Sequence, residues 1–125
     1  MELNEYQNKA KTTAIYPHQG NNLIYTVMGL AGEAGELANK TKKLMRSYGL
    51  EPGTSIDELI NNPKSRKILE GLYGELGGIL WYVSQVATEL HTTLDIIGEA
   101  NLDELSNRVK SNSIEGDGDN RGNME

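Results

Sequence analysis

Two long apolar stripes constrain the fold of this 125-residue chain more than any other feature of its sequence. In each stripe the spacing between successive residues alternates between three and four, which is the repeat of one face of an α-helix. The first stripe is Leu23, Val27, Leu30, Ala34, Leu37, Thr41, Leu44 and Tyr48. The second is Leu69, Leu72, Leu76, Ile79, Val83, Val86 and Leu90. The sequence therefore predicts two long helices that pack together through these stripes.

Residues that favour helix ends set the limits of this pair. Asn21 or Asn22 can cap the first long helix, and Gly49 suits the position just after its last turn. Pro63 suits the first turn of the second long helix, because its fixed φ matches the helix and its missing N–H is not needed there.

Shorter helices are predicted around the long pair. A weak amphipathic pattern over residues 3–14 predicts a first helix that Pro17 ends. A capping-box pattern predicts a short helical turn over 55–60, and a last helix is expected from Leu94 to Val109. Because no strand pattern is found, the predicted class is all-α. We expect a helical domain over 1–110 and a glycine-rich tail over 111–125.

Composition favours an assembly of several copies and argues against several classes of protein. Phe is absent and aromatic residues make up 6%, so the core of one copy is thin and a homodimer or homotetramer is expected. The net charge of −6 disfavours binding to a nucleic-acid polymer. The absence of Cys excludes disulfides and thiolate chemistry. A polar N-terminal sequence and short apolar runs predict no membrane association and a cytoplasmic location.

Charged residues precede four positions of the first stripe. Glu33, Glu36, Lys40 and Lys43 lie one residue before Ala34, Leu37, Thr41 and Leu44, which places all four on one flank, about 100° from the stripe. The same offset places Glu75 on a flank of the second long helix. If the two stripes pack together, the three carboxylates converge at the edge of the seam.

Converging carboxylates repel one another unless positive charge lies between them. Oxygen ligands of this kind suit Mg²⁺, with Mn²⁺ as an alternative, and the neighbouring Lys40 and Lys43 suit phosphates. The spacing alone leaves a plainer interpretation open. In that interpretation the flank is a solvated acidic face, and Glu36 and Lys40 form an ordinary ion pair one turn apart.

Two segments carry a resemblance to a known family. They are Gly29-Leu-Ala-Gly-Glu33-Ala-Gly-Glu36-Leu-Ala-Asn-Lys40-Thr-Lys-Lys43 and Glu75-Leu-Gly-Gly78-Ile-Leu-Trp-Tyr82-Val. Together they resemble the E-x-x-E and E-x-x-D pattern of the MazG-like all-α nucleoside triphosphate pyrophosphohydrolases. The resemblance extends from about Tyr6 to Arg121. It implies a MazG-like four-helix bundle that is completed by oligomerisation.

The resemblance also implies an activity and roles for individual residues. Such an enzyme uses Mg²⁺ to hydrolyse a (d)NTP to the monophosphate and pyrophosphate. By this resemblance Glu33, Glu36 and Glu75 would be the catalytic and metal-binding carboxylates. The residues that would bind substrate are Lys40, Lys43, Tyr82, Asn101, Arg108 and Arg121.

Gly78 departs from the family pattern, since it stands where the family has the Asp of E-x-x-D. The loss of this metal ligand predicts impaired hydrolysis. A second class of function therefore stays open, namely a catalytically inactive helical oligomer that binds nucleotides or a protein partner.

Overall fold

The two apolar stripes form the two longest helices of the computed structural model, which describes residues 1–111. The helices are α1 (Leu3–Lys11), α2 (Leu23–Tyr48), α3 (Ile56–Ile60), α4 (Pro63–Glu89) and α5 (Leu94–Lys110). Residues 1–111 contain no strand, so the all-α prediction is confirmed for them. The predicted glycine-rich tail, which includes Arg121, lies outside the described residues from 112 onward.

The predicted ends of the long helices are confirmed. The Asn22 side chain caps α2 by accepting a hydrogen bond of 3.1 Å from the backbone N–H of Tyr25. Gly49 follows α2 with a φ of +69°, a left-handed conformation that glycine adopts without strain. Pro63 opens α4 after Asn62, whose side chain accepts from the backbone N–H of Lys64 at 2.9 Å.

Helix α1 is shorter than its sequence pattern predicts, since it ends at Lys11 and the apolar pattern continues to Ala14. The hydroxyls of Thr12 and Thr13 donate to backbone carbonyls three residues earlier, each at 2.7 Å. Two successive β-branched residues are also poor helix formers. These local contacts end the helix before the apolar pattern does.

Helices α2 and α4 form an antiparallel pair whose best-packed part lies at the loop end. Leu44, Leu59 and Leu69 are buried there and form a core to which α3 contributes. The Ser65 hydroxyl is buried and donates to the Leu59 carbonyl at 2.6 Å, which ties α3 to the start of α4. This core fixes the relative position of the two long helices.

Helices α1 and α5 pack at the other end, against the second half of α4. The buried Gln7 side chain donates to the Thr88 hydroxyl at 3.1 Å and accepts from the backbone N–H of Leu94 at 2.8 Å. The buried carboxylate of Glu89 accepts from the backbone N–H groups of Gly20 and Asn22. These bonds hold the loop that leads into α2.

The stripes are covered less completely than the sequence predicts. Val27 and Leu76 keep 44% and 51% of their surface exposed, whereas Glu33 on the charged flank is half-buried. The helix pair is thus rotated so that the flanks, and not only the stripes, face each other. No helix in residues 1–111 combines the length and the apolar content needed to cross a membrane.

Candidate functional site

Glycines allow α2 and α4 to approach closely along the charged flanks. A Cβ atom at Gly29 would lie 2.1 Å from the ring of Tyr82, so no larger residue fits there without moving that ring. A Cβ atom at Gly78 would lie 2.7 Å from the Glu33 carboxylate oxygen Oε2. The space beside Gly78 is therefore filled by the carboxylate of the facing helix.

An ion pair crosses the seam beside this point. The Lys40 ammonium nitrogen Nζ lies 2.6 Å from Oε1 of Glu75, and both side chains are partly buried. Glu33 shares a hydrogen bond with the same Glu75 carboxyl. Glu36 is more exposed, but its charge acts on both Glu33 and Lys40. The structure thus brings Glu33 and Glu75 together beside the Lys40 ammonium group, with the charge of Glu36 close enough to act on both Glu33 and Lys40. We call these four residues the acidic cluster.

The pKa values of two carboxyls in the cluster are shifted in opposite directions. The pKa of Glu33 is raised above its ordinary value, first by the hydrogen bond to Glu75, then by partial burial and by the charges of Glu75 and Glu36. The pKa of Glu75 is lowered, first by the hydrogen bond from Lys40 and then by that from Glu33. The Glu75 carboxylate in turn raises the pKa of Lys40. The Glu33 carboxyl therefore releases its proton at a higher pH than the Glu75 carboxyl.

The chemistry of this donor set fits a hard divalent cation. The pKa of Glu33 is raised by the hydrogen bond to Glu75, by partial burial and by the charges of Glu75 and Glu36. A cation between the carboxylates would relieve the repulsion between these charges. Within residues 1–111 no three His, Asp or Glu side chains form a ready-made metal site. In this arrangement Lys40 supplies the positive charge, so Mg²⁺ at the acidic cluster remains a prediction.

A groove of about 440 Å³ adjoins the cluster between α2 and α4. We call it the lysine groove, and its lining residues are Lys40, Lys43, Lys64, Lys67, Tyr48, Ile68 and Gly71. Lys40 and Lys43 were predicted as phosphate contacts, whereas Lys64 and Lys67 were not. The α4 flank could have revealed them, because Lys64, Lys67, Gly71 and Glu75 follow one another at spacings of three and four.

Tyr82 lines a second surface pocket, of about 510 Å³, on the opposite side of the acidic cluster. We call it the aromatic pocket, and its lining residues are Asn22, Ile24, Tyr25, Met28, Gly29 and Tyr82. The Tyr25 and Tyr82 ring centroids lie 6.5 Å apart. Burial raises the pKa of Tyr82, and a hydrogen bond with Tyr25 raises it further. Tyr25 was not predicted from the sequence, although it lies on the same flank as Glu33, eight residues earlier.

The structure does not bring the predicted residues of α5 to the cluster. Asn101 is exposed on α5, which packs against α1 and α4. Arg108 is buried and pairs with Glu104, one turn earlier on the same helix. One copy of residues 1–111 therefore does not bring Asn101 or Arg108 to the acidic cluster. Their roles in substrate binding remain predictions.

Comparison with known proteins adds one relative. The chain is 39% identical over 126 residues to the Gene 37 protein of Mycobacterium phage L5, in an alignment that covers 97% of this chain and 100% of that protein. The chain belongs to the family of this phage protein. No protein-family model matches the chain, and no solved structure matches it. The name of the Gene 37 protein states no activity.

Replacing Glu75 by Gln should lower the pKa of Glu33 toward its ordinary value, because the main cause of its elevation is lost. A raised pKa in the folded state stabilises the protein below the unfolded pKa, and that contribution is lost as pH rises through the folded pKa. The variant should therefore lose this low-pH contribution of Glu33. It should also lose the contribution of the lowered Glu75 pKa, which is present above the unfolded pKa and is lost as pH falls through the folded pKa. Carboxyl NMR titration in chelator measures the pKa directly. Glu70→Gln, an exposed change on α4, is the control, and an unchanged Glu33 pKa in Glu75→Gln contradicts the interpretation.

Proposed function

We propose that this chain is a MazG-like, Mg²⁺-dependent pyrophosphohydrolase that converts a (d)NTP to the (d)NMP and pyrophosphate. The observation that carries the proposal is the order of groups along the α2–α4 seam. The aromatic pocket, the acidic cluster and the lysine groove follow one another in that order. Those are the groups that a base, a metal ion and a chain of phosphates require.

Glu33, Glu36 and Glu75 would hold the cation. When bound, Mg²⁺ neutralises charge on the phosphates and lowers the pKa of a bound water. Lys40, which otherwise neutralises Glu75, would then be free to contact a phosphate together with Lys43. Tyr82 would contact the nucleoside from the aromatic pocket. The half-buried seam limits access of water and so strengthens these charge interactions.

The site also supports a second candidate function, that of a nucleotide-binding protein without hydrolytic activity. The supporting observation lies at Gly78, where the Glu33 carboxylate fills the space that a fourth carboxylate would need. With one oxygen ligand fewer, a bound Mg²⁺ would have to take water in its place. The loss of this ligand should reduce the rate of hydrolysis more than the affinity for a nucleotide, because the rate depends on exact placement of the phosphates.

Release of pyrophosphate from a panel of dNTPs with Mg²⁺ tests the first proposal. Glu36→Gln should keep the helix, since Glu and Gln have similar helix propensities, but should abolish Mg²⁺-linked nucleotide binding in calorimetry. Glu99→Gln, an exposed change on α5, is the matched control. Binding without release favours the second function. Binding that is unchanged in Glu36→Gln removes Glu36 from the site.

Gly78→Asp should restore the missing ligand. Its Cβ atom forces the Glu33 carboxylate to rotate, which is feasible because that group is the end of a flexible side chain. One well-placed electrostatic group is typically worth about 10²–10³ in rate, so dNTP turnover should rise by that order. A fourth acid should also lower the melting temperature in chelator and increase the stabilisation gained on adding Mg²⁺.

Gly77→Asp is the matched control for this change. It alters helix propensity equally, and a Cβ atom at Gly77 meets nothing within 4 Å. Turnover should therefore stay at the parent level in the control. Equal turnover and equal Mg²⁺ dependence in Gly78→Asp and the parent protein would show that position 78 is not a ligand position.

We further propose that the chain assembles as a homodimer or homotetramer through an apolar patch near the start of α2. Leu23, Ile24, Val27 and Met28 are exposed there and line a purely apolar depression of about 280 Å³. Ile24 and Met28 also line the aromatic pocket, so a second copy on this patch would close that pocket. Burial of the patch would compensate for the thin core of one copy.

Light scattering should give two or four times the chain mass of 13.8 kDa. Val27→Glu places a charge in the patch and should shift the protein toward the monomer. Leu102→Glu is the control, because Leu102 is 65% exposed on α5 and lies outside the patch. A parent protein that is monodisperse at the mass of one chain would contradict the proposal.

A further inference from the structure

We propose that the lysine groove is a binding site for an oligophosphate anion, held chiefly by Lys43, Lys64 and Lys67. The proposed function already places phosphates at this groove through Lys40 and Lys43, and the inference rests on that function. It adds Lys64 and Lys67, to which the resemblance assigned no role, as further contacts. It rests on the charge, the position and the shape of the groove.

Charge is concentrated in this groove to an unusual degree for an acidic chain. Four of the 12 basic residues line it, although the net charge of the whole chain is −6. Lys40 is neutralised by Glu75. Lys43, Lys64 and Lys67 form no ion pair within residues 1–111. Three unneutralised ammonium groups thus face one concave surface, and an anion with several charges can compensate them together.

The start of α4 adds to this positive potential. Lys64 lies in the first turn and Lys67 in the next, and the first turn holds no acidic residue. Positive side chains at a helix N-terminus oppose the helix dipole and cost stability. Helices α1, α3 and α5 instead carry an acidic residue in their first turn. An anion in the groove would interact favourably with both the lysines and the backbone dipoles.

The shape of the groove limits the size of its ligand. A volume of about 440 Å³ holds a small anion, and a Cβ atom at Gly71 would lie only 3.0 Å from Lys40 Cε. Gly71 thus leaves room for the Lys40 side chain along the groove floor. Ile68 and Tyr48 supply an apolar part of the lining, which strengthens charge interactions above it. A long nucleic acid would extend beyond the groove, where the net negative charge of the chain would repel it. The size of the groove and the charge around it therefore favour a short oligophosphate.

Calorimetric titration with inorganic triphosphate in chelator and low salt tests the site without any contribution from metal or hydrolysis. The double variant Lys64→Gln/Lys67→Gln should weaken binding by about tenfold. The double variant Lys9→Gln/Lys11→Gln makes the same change in net charge on the exposed face of α1 and should leave binding within about twofold. Without ligand, the groove variant should melt at a higher temperature than the parent, because lysines at the positive helix end are removed.

Titration with a dNTP in chelator distinguishes the source of the phosphates. If the dNTP binds more tightly than triphosphate and loses the same factor in the groove variant, the natural ligand is the phosphate tail of a nucleotide. If the two bind equally, the ligand is a free oligophosphate. Equal triphosphate affinity in the groove variant and the α1 control overturns the site. Tighter binding of a single-stranded oligonucleotide, lost in the groove variant, overturns the choice of a small anion. A failure of dNTP hydrolysis leaves all of these results unaffected.

Discussion

The Lys40–Glu75 ion pair is the contact on which the organisation of the α2–α4 seam depends. It places a positive charge beside Glu75 and near Glu33 and Glu36, which reduces the repulsion between carboxylates that face each other across the seam. It lowers the pKa of Glu75, whereas the hydrogen bond to Glu75 raises the pKa of Glu33. The close approach at Gly29 and Gly78 brings these side chains within reach of one another. Charged side chains thus occupy a seam that apolar side chains would fill in most helix pairs.

This arrangement explains why one helix pair can present two different surfaces. Because the charged flanks turn toward the seam, part of each apolar stripe turns outward, as Val27 and Leu76 show. The buried core is then confined to the loop end around Leu44 and to the contacts of α1 and α5 at the other end. The middle of the pair has few buried apolar side chains. Binding of a second copy or binding of a ligand would stabilise this middle section further.

Sequence patterns predicted the elements well because those patterns are local. The stripes, Asn22, Gly49 and Pro63 act through neighbours three or four residues away, and the convergence of the carboxylates followed from the helical repeat. The end of α1 was missed because hydroxyl contacts of Thr12 and Thr13 compete with the apolar pattern. The outward turn of the stripes depends on the rotation of one helix against another, which glycine contacts decide. The burial of Arg108 depends on how α5 docks, and no periodicity encodes that.

Gly78 and the protonation of the acidic cluster are linked by geometry. The absence of a side chain at 78 leaves a space that the Glu33 carboxylate enters, and there its hydrogen bond to Glu75 raises the pKa of Glu33. An Asp at 78 would compete for that space and would move Glu33 away from this position. A single residue therefore sets both the number of oxygen ligands and the metal-free arrangement of the remaining ones. With glycine there, Lys40 offsets part of the negative charge of the cluster before any cation binds. A cation that enters has to compete with Lys40, and with protons at low pH, which makes its binding weaker and more dependent on pH than at a site of freely ionised carboxylates.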